Sequence, residues 1–219
     1  MAVPIDTNLV APDHTAIVLN ECQRGVVGDL ATLGALKEQV GPVLTNLGRL
    51  VDAGRAAGVQ VVHCVAKGRA DGKGGNTNTR MAGVARRARS QPGYVPPDPE
   101  AFAEVVPEIG VDPDDFVLSR IHGMSCMSDT GLDPLLRNLG VSTIVVGGVS
   151  VNVGVTNLAM DAMNRSYNVV CPRDGAAGVP PEYAEAVMEH TMSMIARLTT
   201  VDELVGIWST LAGRQAAQG

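Results

Sequence analysis

The feature that most constrains this chain is a series of apolar runs separated by segments of helical pattern. The runs lie at residues 15–21 (TAIVLNE), 59–66 (VQVVHCVA), 115–120 (DFVLSR), 142–148 (STIVVGG) and 167–172 (YNVVCP). They are continuously apolar instead of alternating, which is the pattern of strands covered on both faces. Between them, residues 33–58 read as a long helix with a Gly-Pro irregularity that closes at Gly58. Further helices are predicted at 131–140, stopped by Gly140, near 152–166, and from the Pro-Pro pair at 180–181 onward. A short edge strand is expected at 199–201, followed by a C-terminal helix carrying Trp208.

Strands alternating with helices imply a parallel sheet, and right-handed crossovers make it doubly wound. The expected fold class is therefore α/β: a single-domain, Rossmann-like, mostly parallel sheet of five to six strands flanked by helices. With 219 residues the chain suits one such domain over 1–219. Residues 67–99, dense in Gly, Asn and Pro, form a long loop that reads equally as a surface excursion or as a lid or oligomer contact. Residues 213–219 read as a disordered tail.

Aromatic residues make up only 3% of the chain against 45% hydrophobic, so Val, Ala, Leu, Ile and Met must build the core. A net charge of −6 without a Lys/Arg-rich run argues against nucleic acid or anionic lipid as a partner. No stretch is long and apolar enough for a signal peptide or a membrane span, so a cytoplasmic location is expected. Cys22, Cys64, Cys126 and Cys171 lack paired spacing and read as free thiols. No His/Cys cluster has ligand spacing, so neither metal nor cofactor is expected.

In doubly wound sheets, ligands bind beyond the carboxyl ends of the strands where the strand order reverses. That rule selects Glu21 after the first strand, Arg120 after the third, and the turn GVSVNVGVT (148–156) after the fourth. His122 is placed to act as a general base, or else is a loop histidine bonded to backbone. Gln23 supports the loop after the first strand or touches a ligand. Cys126 is a buried hydrophobe or a displaced nucleophile.

Three segments together resemble the isochorismatase-like hydrolase family, which includes nicotinamidases and N-carbamoylsarcosine amidohydrolases. They are TAIVLNECQRGVVG, DFVLSRIHGMSCMSDTGLDPLLRNLGV and TIVVGGVSVNVGVTNLAMDAMNRSYNVVCPRDGAAG. The resemblance implies a catalytic aspartate, lysine and cysteine, and all three positions differ here. Glu21 stands for the aspartate, Gly154 falls on the cysteine, and either Arg120 or Ile121 meets the lysine. A glycine closes the thioester route, and an arginine holds charge but does not shuttle protons. Gly154 leaves a space where the thiol would stand.

The resemblance further implies a non-proline cis peptide at Val149–Ser150, with the Val153 and Gly154 N–H groups aimed at an oxyanion. Asn152 is expected to cap the following helix. The function implied is hydrolysis of a small, anionic vinyl ether or amide without a thiol, by a homodimer or homotetramer. The alternative is an inactive relative that binds a small molecule or serves as a scaffold.

Overall fold

In the computed structural model the first apolar run forms strand β1 (Thr15–Asn20), every residue of which is buried. The structure describes residues 4–31, 34–128 and 130–216. Helix α1 (Gly34–Ala57) follows β1 and runs unbroken through Pro42; its expected first residue, Leu33, lies outside the described residues. Next come β2 (Gln60–Ala66), α2 (Arg80–Arg89), α3 (Pro99–Ala103), β3 (Phe116–Arg120) and α4 (Leu132–Asn138). The second half contains β4 (Thr143–Val149), α5 (Thr156–Asn164), β5 (Asn168–Pro172), β6 (Ala176–Ala177) and α6 (Pro181–Val187). It closes with α7 (Ser193–Ile195), β7 (Arg197–Thr199) and α8 (Val201–Ala216).

The strands lie in the order β3-β2-β1-β4-β5-β7, with β6 pairing with β4. Every pairing is parallel. The sheet thus has seven strands where five to six were expected. The addition is β6, whose two residues follow a Pro-Arg-Asp-Gly turn and are too short to leave a periodic signal. The C-terminal tail expected at 213–219 is helical through Ala216.

Alternate strand residues feed opposite cores. Ile17 and Leu19 pack with α1 and α8 around Trp208, whereas Ala16 and Val18 pack with α4 and α5. Trp208 is fully buried, and its indole N–H donates to the Val10 carbonyl at 2.9 Å, which satisfies the one polar atom of the ring. None of the described helices is long and apolar enough to cross a membrane.

The chain leaves β1 toward β2 on one side and leaves β4 toward β5 on the other, so the crevice opens between the ends of β1 and β4. Gly148, at φ +101°, lets these two ends approach: a Cβ there would collide with the Asn20 carbonyl. A buried polar cluster anchors the start of the edge strand β3. Asp115 accepts from the Arg55 guanidinium, from His63 Nε2 at 2.9 Å and from the Asp112 N–H at 2.9 Å.

Candidate active site

Glu21 follows directly on β1 in the left-handed region, at φ 54°, unusual for a residue with a Cβ. Its N–H donates to the Cys64 carbonyl at 2.8 Å, and its carboxylate Oε1 accepts from Arg120 Nη2. Arg120 ends β3 opposite Ala66 and is buried, its side chain 6% exposed against 18% for Glu21. Its Nε donates to the Gly123 carbonyl at 3.3 Å. Of the two residues that the sequence left open, Arg120 is the one that reaches Glu21, while Ile121 is 41% exposed and lies against Gly74. The second Glu21 oxygen has no hydrogen-bond partner among the described residues.

The space beside Gly154 is filled. A Cβ at that position would stand 2.5 Å from Nδ2 of Asn20, the fully buried last residue of β1. Asn20 is held there at both ends: Nδ2 donates to the Val149 carbonyl, and Oδ1 accepts from the Cys126 thiol. The expectation of open space beside Gly154 is therefore corrected, because an asparagine amide from β1 occupies it. Sequence reasoning missed Asn20; the signal available was a polar residue ending the apolar run AIVL of β1.

This geometry makes Gly154→Cys a destabilising change. The new side chain must displace Asn20 from two buried hydrogen bonds, at a cost of about 1–3 kcal/mol. Denaturant unfolding of this variant, alone and combined with Asn20→Ala, checks it: a non-additive double-mutant cycle is expected.

Cys126 is fully buried beneath Arg120, whose Nη1 lies 3.9 Å from its sulfur. The other described thiols are equally withdrawn. Burial pushes Cys22 and Cys171 up to about 12, and a hydrogen bond with Cys126, reinforced by burial, raises Cys64 as well. These three thiols stay protonated at neutral pH and are poor nucleophiles.

The Val149–Ser150 peptide is cis, as the resemblance implies. The rest of the turn departs from expectation. Residues Val151–Val155 form one π-helical turn leading into α5, and the Val153 N–H is bonded to the Ser150 carbonyl at 3.0 Å, so it is already occupied. Asn152 does not cap the helix. Its amide donates to the Val179 carbonyl at 3.0 Å, and its Oδ1 accepts from the Ser150 hydroxyl. The Val149 side chain is buried in the α1–α8 core, whereas Val153 is 44% exposed.

Gln23 is fully buried and clamps two segments. Its amide donates to the carbonyls of Ala66 at 2.7 Å and Phe102 at 3.0 Å, and its oxygen accepts the Ala66 N–H at 2.6 Å. The loop-supporting reading of Gln23 is thus the one that the contacts describe. Asp161 and Asp174 also serve structure. Asp161 accepts from Ser125 and from Ser128 at 3.3 Å, and Asp174 accepts the Val201 N–H at 2.9 Å at the start of α8.

A cleft of about 280 Å³ lies over the Glu21–Arg120 pair. The segment expected as a long loop over 67–99 carries helix α2, and it forms the outer wall of the cleft through Arg69, Asn76 and the inner face of that helix. Asn76 Oδ1 accepts the Gly123 N–H at 3.1 Å, which ties this wall to the segment after β3. His122 lines the cleft and is exposed to it, with no hydrogen bond to backbone among the described residues. Among the described residues, the cleft lining does not include the 149–154 turn. The sequence-derived set therefore divides: Glu21, Arg120 and His122 share one cleft, whereas Gln23, Cys126, Val149, Ser150, Asn152, Val153 and Gly154 lie outside its lining.

A doubly wound parallel sheet with a carboxylate after β1 and a buried arginine at the end of β3, both lining one cleft, defines an α/β protein of small-molecule-site type. The isochorismatase domain matches residues 15–203, and the chain belongs to the isochorismatase-like hydrolase family. An isochorismatase family protein of Bacillus subtilis, YwoC, is 28% identical over 193 residues, covering 87% of this chain and 92% of that protein. The ureidoacrylate amidohydrolase RutB of Pseudomonas syringae is 25% identical over 210 residues, covering 90% and 85%. Among solved structures, an isochorismatase family protein from Burkholderia thailandensis superposes with a TM-score of 0.75 at 22% identity, covering 95% and 100%. The N-carbamoylsarcosine amidase of Thermoplasma acidophilum gives 0.64 at 23% identity, covering 86% and 97%.

Proposed function

We propose that this protein hydrolyses a small anionic metabolite, an amide or a vinyl ether, without a cysteine nucleophile. The observation that carries the reading is the Glu21 carboxylate, which faces the cleft with one oxygen held by buried Arg120 and the other uncommitted. Asn20 fills the space beside Gly154, which leaves no room there for a thiol side chain. Glu21 acts as general base toward a water molecule and returns the proton to the leaving group, while Arg120 keeps the carboxylate oriented. Amides and ureides come first among substrates, because RutB is named an amidohydrolase and the Thermoplasma protein an amidase. For a vinyl ether, Glu21 serves instead as the acid that protonates carbon.

The test is a panel of small anionic amides, ureides and vinyl ethers, assayed with Cys126→Ala and with Cys64→Ala, because the buried thiols are shielded from alkylation. Hydrolysis that survives both substitutions supports a thiol-independent route; activity abolished by either one in a folded protein overturns it. A second reading, a non-catalytic relative that binds a metabolite in the same cleft, draws on the satisfied Glu21–Arg120 pair. Calorimetric binding of a panel member with no product after prolonged incubation selects that reading.

The assembly we propose is a homodimer or homotetramer in the cytoplasm. Exposed Val84 and Met194 support association, and four free cysteines suit a reducing compartment. Light scattering coupled to gel filtration measures the oligomer number, and a monomer removes the association part.

A further inference from the structure

Three arginines line the cleft, and their charges are unequally committed. Arg120 is paired with Glu21. Arg69 is paired with Asp71 through two contacts of 2.9 and 2.8 Å. Arg89, the last residue of α2, has no ion-pair partner among the described residues. Its guanidinium is folded back over Gly72, where the absence of a Cβ at φ +72° leaves room for it. One positive charge of the wall is thus directed over the cleft and left without a counter-charge.

The rest of this wall suits a small carbon skeleton. Met81, Ala82, Ala85 and Arg89 recur at helical spacing, so one face of α2 lines the cleft with small and apolar side chains that end at the guanidinium. The volume of about 280 Å³ lies just below the roughly 300–1,000 Å³ of small-molecule pockets, which suits a small metabolite.

We propose that Arg89 determines specificity by seating the anionic group of the ligand, a carboxylate or a phosphate, while the reacting group faces Glu21. The assignment rests on reading this cleft as the hydrolytic site. A guanidinium presents a planar fork of donors that matches either anion through paired hydrogen bonds, which a lysine ammonium does not reproduce. Arg89 itself takes no part in the bond-breaking step. It fixes the end of the molecule opposite the one that reacts.

The experiment uses the full chain in calorimetric titrations with succinamate, which carries both an amide and a carboxylate, with succinamide, its neutral counterpart, and with inorganic phosphate. Succinamate is expected to bind roughly 10- to 100-fold more tightly than succinamide, and Arg89→Gln is expected to erase that difference. Arg89→Lys restores part of it. Arg89 is exposed, so an unchanged Tm serves as the check that both variants fold. Phosphate binding that depends on Arg89, without preference for succinamate, supports the anion site and assigns it to phosphate-bearing ligands. Equal affinity for succinamate and succinamide without Arg89-dependent phosphate binding overturns the proposal, as do absence of saturable binding and an Arg89→Gln variant that binds like wild type. Affinity is read from the titrations and product formation is measured separately, so failure here is distinguishable from failure of the Glu21 mechanism.

Discussion

Glu21→Gln is expected to lower kcat on any substrate of this protein by about 10²–10⁴-fold, the range associated with loss of a general acid–base group. The substitution is nearly isosteric, and the amide oxygen can still accept from Arg120 Nη2, which keeps the side chain at its place on the cleft. What it removes is the ability to take up and release a proton. KM is expected to move far less than kcat, because the anion-binding arginine lies on α2 and not on β1. Steady-state kinetics, with circular dichroism to confirm the fold, separates the outcomes. A variant that turns over at the wild-type rate ends the assignment of Glu21 as the proton-transfer group. Loss of Glu21's charge also leaves buried Arg120 without its counter-ion, so a modest fall in Tm should accompany the kinetic loss.

The second large effect concerns stability. Asp115→Ala is expected to cost about 3–5 kcal/mol, the range found when one member of a buried charged cluster is removed. The Asp115 side chain is 3% exposed and receives Arg55, His63 and the Asp112 N–H, so its removal leaves donors from three segments without an acceptor. His63 is already short of one partner, since its Nδ1 is buried without a hydrogen bond among the described residues. Urea unfolding measures the effect, and a loss under 1 kcal/mol would contradict the account.

The same cluster predicts acid lability. Burial holds the pKa of His63 below its ordinary value of 6.5 even though Asp115 pulls it upward. The unfolded chain therefore takes up this proton at higher pH than the folded one, so the stability associated with the neutral ring is complete above about 6.5 and falls as the pH drops below it. Burial pushes Asp115 upward, but Arg55, the Asp112 N–H and His63 outweigh it and leave its pKa below 3.8. Its contribution is accordingly present above about 3.9 and is lost at stronger acidity. Thermal midpoints should decline from pH 7 to pH 5, and His63→Gln should flatten that decline; an unchanged slope in the variant would exclude His63 as its source.

The link between stability and site runs through β3. Asp115 secures the start of the strand, and Arg120 ends it five residues later, paired with β2 throughout. A loosened β3 would move the guanidinium that orients Glu21. Asp115→Ala is therefore expected to impair turnover at temperatures where the protein is still folded, although the residue touches no part of the cleft.

Much of this architecture is legible in the residues themselves. Continuously apolar runs require strands covered on both faces, and their alternation with helical segments requires parallel crossovers, which in turn place the crevice beyond β1 and β4. Glu21 and the 148–156 turn are picked out by that logic before any side-chain contact is considered. β6 escapes it because two residues show no periodicity, and the helical start of the C-terminal tail escapes it because small and polar residues there carry little pattern.

What only the tertiary structure decided is which side chains meet at the crevice. Arg120 and not Ile121 reaches Glu21 across 99 positions of sequence, Asn20 fills the space beside Gly154, and Arg89, at the end of a helix in a segment without strand or core pattern, faces the same cleft as Glu21. The physical reason is that periodicity reports the average environment of an element. The direction of a side chain at the end of a strand depends on the backbone angle of one residue and on neighbours supplied by distant segments.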